Sequence, residues 1–128
     1  VGVDRAAVVV ALQGALLRAA RDFGETPVFR PHAERVLATA AALDYVLMLA
    51  RGATEVPIPA GEAERAIHAG IERGVDDLIL AADAIAGSRT PAATAFAHET
   101  AKTLRDVLGS EDLRNDERTF ALIALANA

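Results

Sequence analysis

The stretch from Pro31 to Gly52, PHAERVLATAAALDYVLMLARG, decides the fold. From Val36 to Ala50 it interrupts its apolar residues only with Thr39, Asp44 and the amphipathic Tyr45. Val36, Ala40, Leu43, Leu47 and Ala50 recur at spacings of four and three, which places them on one face of a helix. Leu37 and Met48 widen that face on one side; Val46, Leu49, Ala38 and Ala42 widen it on the other. A helix apolar around most of its circumference has to be covered on more than one side. The stretch therefore predicts the central helix of an all-α domain.

The flanking sequence supplies the partners. Asp4 is suited to cap a first helix running to Phe23, with Val8, Leu12, Ala15, Leu16, Ala19 and Phe23 inward, Gln13, Arg18, Arg21 and Asp22 opposite, and Gly24 as its end. Residues 25–30, ETPVFR, contain Pro27 and read as a connection that tucks Val28 and Phe29 against the end of the core. Pro31 fits the first turn of the second helix and Gly52 its C-terminal cap. Pro57 and Pro59 keep the next connection extended. A third helix over Glu62–Ala86 presents Ile67, Ile71, Val75, Leu78, Ala82 and Ile85 on one face. Arg65, Glu72, Arg73, Asp76, Asp77 and Asp83 are assigned to the solvated side, with Arg73 and Asp77 as an ordinary i, i+4 pair. Gly70 and Gly74 each cost about 1 kcal/mol of helix propensity relative to Ala, so they predict a close helix–helix approach. Thr90 and Pro91 open a fourth helix with Phe96, Ala97, Thr100, Leu104, Val107 and Leu108 inward, stopped by Gly109. Asn115, followed by Asp116 and Glu117, starts a short fifth helix to about Asn127. The expected architecture is one domain over residues 1–128, an antiparallel bundle of four main helices plus a short C-terminal fifth.

Composition narrows the function. The 128 residues are 52% hydrophobic but only 4% aromatic, with alanine the commonest residue, so the helices should pack through thin contacts with few bulky anchors. A formal net charge of −5 without any run of Lys and Arg argues against nucleic acid and anionic lipid as partners. The longest apolar run is shorter than the roughly 20 residues of a membrane span and carries Asp44, so direct membrane insertion by this segment is not expected. A cytoplasmic location is expected, with membrane association only through a parent protein. A chain that starts at Val1 and stops within FALIALANA fits a piece excised from a longer protein.

Motifs for chemistry are sparse. None of His32, His68 and His98 has a Glu three residues before it, so the ExxH element of helical di-iron sites is missing. His98-Glu99 opens like HExxH, but Lys102 stands at the second ligand position. Glu64, His68 and Glu72 share a helical face and read as a solvated flank rather than a metal site. Asp44 is the one carboxylate expected in an apolar setting, where a raised pKa would suit acid–base work; a pairing with Arg51, or a partner chain, explains it more simply. There is no cysteine, no GxSxG and no phosphate-cradling glycine motif. No enzyme activity, cofactor or metal is expected.

The pattern over Pro31–Ala86, a helix RVLATAAALDYVLMLARG, a linker EVPIPA and a charged amphipathic helix ending IAG, is similar to soluble helical segments of fusaric-acid-resistance-type proteins. These are aromatic-compound efflux and inner-membrane transporter-like proteins. The resemblance implies a soluble piece of a larger membrane protein and carries over no functional residue.

Two functional expectations follow. The first is an interaction or assembly module whose spare apolar surface, at Leu49 or in the tail at Phe120, Leu122 and Leu125, forms a homodimer or packs on the remainder of a larger protein. The second is a small-molecule-binding regulatory bundle, with a cavity between helices two and four around Tyr45, Met48, Phe96 and Thr100.

Overall fold

The computed structural model describes residues 4–52 and 57–107, with side chains as far as residue 103. Those residues are all-α: α1 (Arg5–Phe23), α2 (Arg30–Arg51), α3 (Ala60–Ala86) and α4 (Pro91–Val107), without a strand among them. The expected fifth helix and the tail residues Phe120, Leu122 and Leu125 lie outside the described residues.

The helix ends follow local chemistry. The Asp4 carboxylate accepts from the Ala7 amide at 3.3 Å, which satisfies a donor that the first turn leaves free. Thr90 does the same for α4, its hydroxyl accepting from the Ala93 amide at 3.1 Å. Gly52 closes α2 in the left-handed region at φ 70°, where a side chain would be strained. In the connection before α2, Phe29 is fully buried as expected, whereas Val28 stays largely in solvent.

α1, α2 and α3 pack on one another, and α4 lies mainly on α3 with a lesser contact to α1. Leu12, Leu16, Leu43, Ile67, Leu78 and Ile85 are fully buried between them. Phe23 and Phe96 close the α1–α4 side edge to face, their ring centroids 5.3 Å apart. The Arg18 guanidinium lies 5.7 Å from the Phe96 ring centre and also pairs with Glu99. Between α2 and α3 the contacts run in opposite order along the two helices: Val46 meets Gly70, Leu43 meets Gly74, and Thr39 meets Asp77. The close approach expected of the glycines is present. A Cβ built on Gly70 would stand 2.4 Å from Val46 Cγ2, well inside van der Waals contact.

That approach corrects the assignment of Asp77 to the solvated side. Its side chain is 1% exposed and points into the α2–α3 seam. Gly70, Gly74, Asp77 and Ala81 form one stripe at spacings of four, three and four, and three small residues let α2 come close enough to cover the fourth. Oδ2 of Asp77 accepts from the Thr39 hydroxyl. Oδ1 has no well-aligned donor, but Arg35 Nη2 stands 3.1 Å away and supplies the opposing charge. The ion-pair partner of Asp77 is therefore Arg35 on α2 rather than Arg73 one turn away. Among the described residues, no helix is long and apolar enough to cross a membrane.

Candidate interaction face

α2 has more apolar circumference than its neighbours cover. It buries Val36, Thr39, Ala40, Leu43, Val46 and Leu49 against α1 and α3. On its outward side Leu37, Tyr45 and Met48 remain 46%, 51% and 44% exposed. With Ala41 they form a stripe at spacings of four, four and three, which is one helical face.

α1 extends this face. Gln13 sits at the seam between the two helices, its Nε2 donating to the Ala40 carbonyl at 2.8 Å and to Asp44 Oδ1 at 2.6 Å. Only residues 24–29 join α1 to α2, so the two helices run back along each other from that turn. Leu17, one turn past Gln13, then falls at the level of Leu37. Val10, one turn before it, falls at the level of Tyr45 and Met48. Val10 and Leu17 are both 46% exposed. Leu37 and Met48 on α2 and Val10 and Leu17 on α1 thus flank one hydrogen-bonded pair, Gln13 and Asp44, while Tyr45 lies at the α3 edge of the same outward side of α2. Asp44, expected among apolar neighbours and beside Arg51, is instead an exposed carboxylate whose partner is Gln13.

The other sequence-predicted residues fall elsewhere. Leu49 is 8% exposed and belongs to the core, so it offers no free surface. Tyr45 and Met48 are not brought together with Phe96 and Thr100, because α2 and α4 make no contact among the described residues. Tyr45 borders a groove of about 280 Å³ with Leu49, Pro57, Ile58, Pro59 and Glu62. Phe96 and Thr100 are buried and border a separate depression of about 110 Å³ beside Ala15, Arg18 and Glu99. On the α3 flank Glu64 is taken by Arg5, and His68 stands 3.7 Å from Glu72. No group of three or more His, Cys, Asp or Glu among the described residues is placed to hold a metal ion.

Sequence reasoning had counted Leu37 and Met48 as part of the apolar surface to be covered, and missed Val10 and Leu17 as part of one face with them. Gln13, assigned above to the side opposite the core, sits instead at the α1–α2 seam, and the apolar residues one turn either side of it lie beside that seam. Fold and face together define an all-α helical domain with an apolar two-helix face open to solvent. In comparisons with known proteins, no family model, no curated protein and no solved structure matches the chain.

Proposed function

We propose that this chain is a non-catalytic helical interaction module, an antiparallel four-helix bundle that assembles through its α1–α2 face. The bundle reading is supported by the opposed register of α2 and α3 and by the short connections between successive helices. The observation that carries the function is the row Leu37, Tyr45 and Met48, exposed together on one helix. Single apolar side chains at a surface are ordinary, but a contiguous patch of several hundred Å² is a mark of an interaction site. Two occupants suit it: a second copy of the chain, or the remainder of a larger membrane-associated protein of the transporter-like kind that Pro31–Ala86 resembles.

The face carries its own reporter, since Tyr45 is the chain's single tyrosine. Acrylamide quenching of its fluorescence reads whether the face is covered, whatever covers it. Shielding of Tyr45 that is lost on Leu37→Glu, with helicity retained by circular dichroism, supports the reading. A Tyr45 as accessible as a free tyrosine amide in every assembly state of the chain would overturn it.

A further inference from the structure

Resting on that reading, we infer that the occupant of the α1–α2 face is a second copy of this chain, with the two α2 helices crossing it antiparallel about a two-fold axis. The order of residues along the outward side of α2 carries this assignment. Glu34, Leu37, Ala41, Asp44, Met48 and Arg51 follow one another at spacings of three, four, three, four and three. That spacing reads the same in both directions, so an antiparallel copy falls into register with it.

The chemistry matches as well as the spacing. In that register Leu37 of one copy meets Met48 of the other, and the small Ala41 meets the level of Asp44, where a bulky side chain would hold the helices apart. Glu34 at one end meets Arg51 at the other, an acid against a base, and the two-fold axis makes each contact twice. A parallel copy would instead set Glu34 against Glu34 and Arg51 against Arg51. Glu34 and Arg51 are both exposed, and neither is engaged in an ion pair among the described residues. Gln13 holds one oxygen of the Asp44 carboxylate from within the same chain at 2.6 Å. The second oxygen has no donor among the described residues, so a bridging water has to meet it when the face is covered. Val10 and Leu17 flank the α2 stripe and add apolar area from α1.

The chain contains no cysteine, which makes the register directly testable by cross-linking. Full-length Leu37→Cys and Met48→Cys variants are prepared separately, mixed under reducing conditions and then oxidised. The expected result is a disulfide-linked species in the mixture and none in either variant alone. Two copies of position 37 stand about 16 Å apart in this register, beyond the roughly 7 Å that a disulfide spans between Cα atoms. In sedimentation analysis Glu34→Arg is expected to weaken dimerisation by about 3- to 10-fold, and Glu34→Arg with Arg51→Glu to restore it. Self-linking of the single variants without linking of the mixture would overturn the antiparallel register. A chain that stays monomeric over its soluble range with Tyr45 shielded would overturn the second copy while leaving the face as an interaction site. A monomer that dimerises only on Leu122→Glu with Leu125→Glu would assign the face to the chain's own tail, and would also overturn the proposal.

Discussion

The hydroxyl of Thr39 on α2 donates to the buried carboxylate of Asp77 on α3, the one charged side chain in the core of the described residues. Burial of a carboxylate is costly unless its oxygens are matched, and here one oxygen depends on a single hydroxyl. The second faces the Arg35 guanidinium, whose side chain is 62% exposed and so acts through water as well as through protein.

Thr39→Val keeps the shape of the side chain and removes the donor. Leaving a buried acceptor unmatched costs about 1–3 kcal/mol, and the loss should appear in urea unfolding with an unchanged m-value. Arg35→Ala removes the one charge that opposes a carboxylate itself only 1% exposed, and should cost at least as much as Thr39→Val. The combination Thr39→Val with Asp77→Leu removes both halves and should be less destabilised than the two single changes added together. Strict additivity would show that the two groups are not coupled.

Gly70 and Gly14 predict opposite responses to alanine. A Cβ at Gly70 meets Val46 Cγ2 at 2.4 Å, so the roughly 1 kcal/mol gained in helix propensity is offset by about 1–3 kcal/mol of overpacking. Gly70→Ala should therefore lower the melting temperature, and Val46→Ala in the same chain should recover part of the loss. At Gly14 nothing lies within 4 Å of the added atom, and Gly14→Ala should stabilise by up to about 1 kcal/mol. Equal effects at the two sites would mean that α2 and α3 are not in close contact at Val46.

The helices were legible because their caps and breakers are explicit: Asp4, Thr90, Pro31 and Gly52 act locally, and local chemistry is present in the sequence. Asp77 was misplaced because its type argues for solvent, while its position depends on neighbours that speak only as a group. Gly70, Gly74 and Ala81 share its stripe, and small residues there bring α2 over it. The same limit separated Tyr45 and Met48 from Phe96 and Thr100. Helix wheels give directions within a helix, whereas which helices touch is decided by how four of them stack, and α2 and α4 do not touch among the described residues.

Acid should act through the Arg5–Glu64 pair, which ties the start of α1 to α3. The hydrogen bond from Arg5, aided by its charge, holds the Glu64 carboxyl below its ordinary value. A carboxylate with a lowered folded pKa contributes stability above its unfolded pKa and loses it as pH falls through the folded one. The pair's contribution should thus be constant at neutral pH and disappear below the ordinary glutamate range. Both groups are exposed, so the effect should be small and should shrink further with added salt. Glu64→Gln should flatten that part of the acid limb in melts taken at stepped pH, and a limb of unchanged steepness would place the acid sensitivity elsewhere.

Leu37 is exposed on α2 and Leu49 is buried, and a charge at each separates folding from assembly. Leu49 is 8% exposed, and removing so buried a leucine by truncation alone costs about 2–5 kcal/mol. Glutamate there adds the desolvation of a charge, so Leu49→Glu should unfold the chain or leave it far less cooperative. Leu37 is 46% exposed, and in the isolated monomer Leu37→Glu should change stability by no more than about 0.5 kcal/mol. Its cost should appear only under conditions where the face is covered, as a lower melting temperature at high chain concentration than the parent shows. Circular dichroism melts over a concentration series read both quantities at once. A Leu37→Glu chain that melts like the parent at every concentration would mean that the face carries no assembly energy, whatever its exposure.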